Sequence, residues 1–221
     1  AERQPGSAIK PFVYASAFAR GYLPNTILFD VKTQFSPQCP PDSTSSESPC
    51  YSPNNYNGKF LGPVSMRNAL AQSLNIPAVK TLYLAGVKDT LKLAADMGLT
   101  TLNDPDRYGL TLVLGGGEVK LLDMTHAYGV FANEGVRATP RSILKIEDTR
   151  GNVVFESKVE TKQVLDRNAA LLISDVLTDN VARTPLWGAN SLVNFKERDV
   201  ASKTGSTNNL RDAWLMGYSP N

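Results

Sequence analysis

Ser7 and Lys10 stand three residues apart in QPGSAIKPF, directly after Pro5-Gly6. On a helix, residues three apart share a face. A hydroxyl and an amine could meet there, and a neutral amine could take the hydroxyl's proton and make it a nucleophile. A serine at a helix N-terminus also faces free N–H groups and the positive end of the dipole, which favour developing negative charge. The plain alternative is an N-cap serine beside a solvated lysine. The same spacing recurs at Ser142 and Lys145 in RSILKIE. That run alternates like a strand, where residues three apart point to opposite faces. Only the first copy brings its two groups together.

Two further triplets could join them. Ser-x-Asn occurs at Ser52/Asn54, Ser73/Asn75, Ser206/Asn208 and Ser219/Asn221. Only Ser73-Leu74-Asn75 lies at the end of an amphipathic helix and just before a proline, Pro77, where a hydroxyl and a carboxamide can project together from a fixed turn. Lys203-Thr204-Gly205 closes a strand, and Gly205 lets another backbone or a ligand approach the strand edge closely. Other features read as structural. Gly115-Gly116-Gly117 fits neither G-x-G-x-x-G nor a P-loop and reads as a tight approach into a helix. Glu118 sits at that helix start, where a carboxylate offsets the dipole. His126 lies mid-helix without a carboxylate or cysteine companion and reads as ordinary packing. One histidine and two cysteines make no metal-ligand set, and no cofactor is called for.

Composition narrows the function classes. The 221 residues carry 23 basic and 21 acidic side chains, a net charge of +2, which gives no electrostatic case for nucleic acid. At 42% hydrophobic, the chain can bury a sizeable core, and a single domain over 1–221 is expected. No run approaches the roughly 18 apolar residues of a membrane span, and AERQPGSAIK has no signal-like apolar stretch. The start at Ala1 and the stop at GYSPN suggest a piece cut from a longer protein. Cys39 and Cys50 flank PPDSTSSESP, and their separation suits a disulfide closing that loop outside the cytoplasm. Two unpaired thiols in a variable loop are the alternative.

The elements that must position these groups follow from periodicity and punctuation. A helix is expected from Ser7 to Arg20, stopped by Gly21, with Pro11 tolerated in its first turn. Tyr22 to Tyr56 reads as irregular. A helix N-capped by Ser65 should break at Pro77, close after Asn75, and helices follow over 78–85 and 89–97. About 17 residues after the glycine run should form a helix ended by Gly135. ILKIEDTRGNVVFE reads as a hairpin turning at 150–152. A long helix runs from Asp166 to about Asn180. Two strands joined near Asn208-Asn209 close the chain, with Trp214 and Tyr218 alternating with Ala213 and Leu215 and packing on both faces.

The ordered set of Ser7-x-x-Lys10, Ser73-x-Asn75 and Lys203-Thr204-Gly205 resembles the serine penicillin-binding proteins and their β-lactamase relatives. PGSAIKPFVY, GYLPNTILFDV, YNGKFLGPVSMRNALAQSLNIPAVK, LVLGGGEVKLLDMTHAYGVFANEGV and KTGSTNNLRDAWLMGYSP are similar to the transpeptidase domain of the class A, bifunctional type. Arg211-Asp212-Ala213-Trp214 is the run that most suggests class A. The resemblance implies an α+β, β-lactamase/transpeptidase-like fold: an antiparallel sheet with a large helical subdomain. It places the first two strands, the last strand and the C-terminal helix outside this chain, leaving exposed apolar surface.

The resemblance further implies a D,D-transpeptidase that cross-links peptidoglycan through a serine acyl-enzyme on D-Ala-D-Ala stem peptides and is acylated by β-lactams. Ser7 would be the nucleophile and Lys10 its base. Ser73 would relay a proton to the leaving amine, and Asn75 would hold the donor amide. Lys203 would lower the Lys10 pKa, and with Thr204, Gly205 and Ser206 it would form the carboxylate site. Serine replaces the family's usual threonine at 206 and keeps the hydroxyl. The N–H groups of Ser7 and Ser206 would make the oxyanion hole. A carboxypeptidase or β-lactamase on the same scaffold, or a sensor that binds β-lactam or muropeptide without turnover, are the alternatives. Implied partners are donor and acceptor stem peptides and β-lactams. An upstream glycosyltransferase domain and membrane anchor would hold the domain on the outer face of the cytoplasmic membrane.

Overall fold

The computed structural model describes residues 1–195, 197–207 and 211–219. The first half of the chain runs β1 (Glu2–Arg3), a 3₁₀ turn Gly6–Ile9, α1 (Lys10–Ala19), β2 (Ile27–Asp30), β3 (Gly62–Ser65), α2 (Met66–Ala71), α3 (Asn75–Ala85), α4 (Val87–Met97), α5 (Pro105–Tyr108) and a 3₁₀ helix Gly109–Leu114. The second half runs β4 (Val119–Lys120), α6 (Leu121–Ala132), β5 (Val136–Ala138), β6 (Lys145–Glu147), β7 (Val153–Glu156), β8 (Thr161–Gln163), α7 (Arg167–Thr178), α8 (Asn180–Trp187), β9 (Ala201–Ser206) and β10 (Ala213–Tyr218).

α1 lies at the centre because its sequence, KPFVYASAFA, is apolar on every side after Lys10. Every residue from Lys10 to Phe18 is buried, and α3, α4 and α7 pack around it. The surrounding helices are one-sided. α7 buries Ala169, Ala170, Ile173, Val176 and Leu177, and Asp166 caps it by accepting from Ala169 N at 3.0 Å. Arg67 on α2 pairs with Asp175 and, at 3.0 Å, with Asp179, which seats α2 against α7 and α8.

Among the described residues the strands pair antiparallel in twos: β1–β4, β2–β3, β5–β8, β6–β7 and β9–β10. The last pair sets Lys203 opposite Met216 and Gly205 opposite Trp214. Side chains from β10 fasten it to the helices. Tyr218 joins Phe12, Tyr128 and Phe131 in an aromatic cluster, with Phe12 centroids 5.5 and 5.2 Å from Tyr128 and Phe131. The Tyr218 hydroxyl lies 2.9 Å from Ser174 Oγ, and Trp214 Nε1 donates to Gln4 O at 2.9 Å, just ahead of Ser7.

Several expectations need correction. The irregular reading of Tyr22 to Tyr56 missed β2, whose antiparallel pairing with β3 joins Ile27 to Ser65 and Asp30 to Gly62, 38 and 32 residues apart and beyond the reach of local patterning. Pro77 breaks nothing. The chain leaves its helix at Gln72–Leu74, and Pro77 sits in the first turn of α3, where no N–H is lost. The helix expected after the glycines is shorter, because Val119–Lys120 is drawn into pairing with β1. Glu118 therefore precedes a strand, and its carboxylate pairs with Arg107 at 3.0 Å instead of a helix dipole. α8, with Pro185 inside it, was not anticipated. β10 packs on one face: Met216 is buried and Trp214 and Tyr218 are half-buried, while Ala213 and Leu215 are exposed. The turn at Asn208-Asn209 lies outside the described residues. The hairpin at β6–β7 and the helix capped by Asp166 stand where expected, and Cys39 and Cys50 are disulfide-bonded.

Phe12 is 0% exposed and touches two other rings. Phe12→Ala should cost about 3–5 kcal/mol of stability, read from urea unfolding. A loss under about 1 kcal/mol would mean that α1 is not the centre of the core.

Candidate active site

Lys10 is the first residue of α1, and burial of that helix takes its side chain out of water entirely, at 0% exposure. Its Nζ donates to Ser73 O at 2.7 Å, Asn75 Oδ1 at 2.8 Å, Leu74 O at 3.3 Å and Ser73 Oγ at 3.4 Å. Lys203 reaches the same hydroxyl from β9: its Nζ donates to Ser73 Oγ at 2.8 Å and to Thr204 O at 2.9 Å. Ser73 Oγ therefore stands between two buried amines. Ser7, half-buried in the 3₁₀ turn, lies one turn ahead of Lys10. Among the described residues its hydroxyl makes no hydrogen bond to Lys10, whose Nζ is turned to the Ser73–Asn75 acceptors. The Ser142/Lys145 copy is exposed, and Lys145 pairs with Glu147 at 2.5 Å.

Ser73 is placed by strain. It follows the C-cap Gln72 with φ +57°, a position that glycine usually fills after a helix. A side chain there costs of order 1 kcal/mol or more. The turn is closed by Ser73 N to Leu70 O at 3.0 Å and Leu74 N to Ala69 O at 2.9 Å, and its carbonyl by Lys10. The rejected Ser52/Asn54 copy also borders the site. Asn54 O accepts from Asn75 Nδ2 at 2.7 Å, and Asn54 Oδ1 from Lys32 Nζ at 2.8 Å.

Three glycines bring the remaining groups together by direct backbone contact. A side chain at Gly6, where φ is +53°, would overlap the Ser206 carbonyl and sit 2.8 Å from Ser206 N. One at Gly205 would overlap the Pro5 carbonyl and sit 2.9 Å from Ala8 N. One at Gly115 would overlap Gly6 itself. Gly115 thus serves an approach to the turn carrying Ser7, not to a helix as the sequence suggested. The seam sets the Pro5–Ala8 turn that carries Ser7 against Gly205 and Ser206, with Thr204 half-buried and Ser206 exposed at the strand end.

Burial and like charge set the electrostatics. Lys10 is pushed well below the ordinary lysine range, first by burial and then by the charge of Lys203. Lys203 is pushed down to about 7, first by burial and then by Arg183. Sequence reasoning missed Arg183, a buried guanidinium on α8. It donates to Leu177 O at 2.5 Å, Val193 O at 2.8 Å, Asn180 Oδ1 at 3.1 Å and Ser202 O at 3.2 Å, one residue from Lys203. In sequence nothing sets it apart from an ordinary exposed charge just past the expected helix end.

The chain as a whole is similar to known proteins. The family model described as "Penicillin binding protein transpeptidase domain" matches residues 1–221. The chain is 33% identical over 226 residues to penicillin-binding protein 2D of Bacillus subtilis, covering 100% of this chain and 31% of that protein. It is 37% identical over 219 residues to penicillin-binding protein 1A of Aquifex aeolicus, covering 99% and 28%. The chain thus spans about a third or less of the curated relatives it matches. The crystal structure of penicillin-binding protein 1A from Haemophilus influenzae superposes with a TM-score of 0.78 at 27% identity, over 98% of this chain and 36% of that one.

The depressed Lys203 carries a signature in stability. A lysine whose folded pKa falls from 10.5 to about 7 opposes folding by roughly 4 kcal/mol at pH 7, because the unfolded chain keeps its proton almost fully while the folded one keeps it about half the time. That penalty shrinks as pH rises from 7 towards the unfolded value. The stability of the wild type relative to Lys203→Met should therefore increase between pH 7 and about 10 in chemical unfolding. A difference that stays flat over that range would show Lys203 to be an ordinary, solvated lysine.

Proposed function

The chain belongs to the penicillin-binding protein transpeptidase family, and from that premise we propose that it is a D,D-transpeptidase domain acting through an acyl-enzyme on Ser7. The placement of Ser73 Oγ between the amines of Lys10 and Lys203, 3.4 and 2.8 Å away, is the observation that supports this reading best. A serine needs a base, and a lysine serves only when neutral. Burial and the neighbouring cation favour that form of Lys10.

In this reading Ser7 Oγ attacks the carbonyl between the two D-alanines of a stem peptide while Lys10 takes its proton. The backbone N–H groups of Ser7 and Ser206 receive the oxyanion, each such donor lowering the barrier by about 3–4 kcal/mol. Ser73 then passes a proton from the lysine pair to the departing D-alanine nitrogen. Asn75 holds the donor amide, and Lys203, Thr204 and Ser206 hold the terminal carboxylate, with Gly205 clearing the strand edge. An amine of a second stem peptide attacks the ester and regenerates Ser7, leaving a new peptide bond. A β-lactam enters by the same first step. The Cys39–Cys50 bridge supports a place outside the cytoplasm, on the outer face of the membrane. In the whole protein an upstream glycosyltransferase domain and membrane anchor would complete the class A arrangement.

Glu118, bound to Arg107, offers no support for a water-activating carboxylate that would turn the site into a β-lactamase. Full-length protein incubated with a penicillin should gain one drug mass by intact-protein mass spectrometry, and Ser7→Ala should gain none. Folded wild type that neither gains the mass nor hydrolyses the drug would end the acyl-enzyme reading. With stem peptide supplied, a cross-linked product that depends on an added acceptor amine separates transpeptidation from carboxypeptidase activity.

A further inference from the structure

α3 starts without a cap of its own, because its N-cap residue, Leu74, carries no side-chain oxygen. A helix start leaves N–H groups that need acceptors. Here one distant carboxamide supplies them. Asn55 Oδ1 accepts from the backbone of Asn75 at 2.7 Å and of Ile76 at 3.4 Å. The third helical residue is Pro77, which has no N–H to satisfy.

Asn55 is also held against turning over. Its Nδ2 donates to both Asp30 carboxylate oxygens, each at 2.9 Å, and to Lys59 O at 2.8 Å. A reversed amide would set oxygen against oxygen. Asp30 is 0% exposed and Asn55 4%. Leu61 N steadies the carboxylate at 2.9 Å, and Asp30 pairs in register with Gly62 on β3. Among the described residues Asp30 makes no direct ion pair; its hydrogen bonds, helped by the charge of Lys80, whose Nζ donates to the adjoining Phe29 O at 2.6 Å, offset its burial, a costly way to gain stability. Asn54, next in the chain, accepts from Asn75 Nδ2 at 2.7 Å. The Asn54-Asn55 pair thus grips Asn75 by backbone and side chain, and leaves Asn75 Oδ1 for Lys10 Nζ at 2.8 Å.

We propose that Asn55, oriented by Asp30, is a positioning residue that sets the Ser73-Leu74-Asn75 turn against Lys10. Its consequence for catalysis rests on the transpeptidase reading, whereas its consequence for geometry does not. The β2–β3 ribbon is then the base from which a buried carboxylate aims the turn.

The test exchanges donor and acceptor in the full-length protein. Asn55→Asp sets two carboxylates face to face, and the double variant D30N/N55D restores one donor and one acceptor. Hydrogen-exchange mass spectrometry reads the Asn75–Ile76 amides, and stopped-flow reaction with a penicillin separates the acylation rate from noncovalent affinity. Asn55→Asp should lose amide protection and slow acylation about tenfold to hundredfold, with affinity changed by less than about threefold. The double variant should recover much of both but not all, because the Lys59 carbonyl still lacks its donor. Wild-type acylation and protection in Asn55→Asp would overturn the proposal. So would a folded double variant that stays slow and unprotected. If Asn55→Asp does not fold, Asp30→Asn, which frees the amide to turn, decides on the same two readouts. Wild type that is never acylated would sink the transpeptidase reading, while amide protection across these variants would still judge the positioning.

Discussion

The structure turns on a lysine amine taken out of water at the head of its most buried helix. An amine at 0% exposure needs acceptors at every proton or must give one up. Both responses are present around Lys10. Two carbonyls, a carboxamide and a hydroxyl converge on its Nζ, and burial with the second amine drives its pKa down. The Ser73 turn supplies the acceptors and β9 supplies the second amine. α1, which carries Lys10, is also the element about which α3, α4 and α7 pack. The centre of the core and the centre of the site are one helix.

This coupling explains why costly features gather within a short radius. Ser73 holds a backbone conformation suited to glycine, Arg183 lies buried on carbonyls, and Asp30 is buried without a direct ion pair among the described residues. Each loosens the fold when counted alone. Packing around α1 supplies the surplus that carries them: Phe12, Tyr14, Tyr128 and Phe131 are all at most 2% exposed. The aromatic cluster also spans α1, α6 and β10, so the surface that stabilises the chain also fixes β9 against the turn that bears Ser7.

Much of the site was legible because its parts are local triplets. Ser7 and Lys10 share a helical turn, Ser73 and Asn75 share one reversal, and Lys203 to Ser206 share one strand. Their order along the chain carried the family resemblance, and the family model spans the same residues. What stayed hidden acts across sequence. Asn55 sits in a proline-rich stretch with no period, and nothing nearby says that its partners lie 20 and 25 positions away. Arg183 has the spacing of a surface charge. Pro77 was misread because a proline breaks a helix only where an N–H is needed. At the first turn it removes a donor that would otherwise want a partner.

The glycine seam limits how such a site can be adjusted. Where Gly6, Gly115 and Gly205 meet Ser206, Pro5 and Ala8, main chain touches main chain, and no side chain there can be trimmed or lengthened to move the strand by a fraction of an ångström. Adjustment by single substitutions is therefore displaced outward, to the excursion between β2 and β3 that carries Asn54 and Asn55. That excursion is stapled by a disulfide and is otherwise largely irregular. The chain divides its labour accordingly: a joint too tight to vary, and beside it a loop long enough to be rewritten without unmaking the joint.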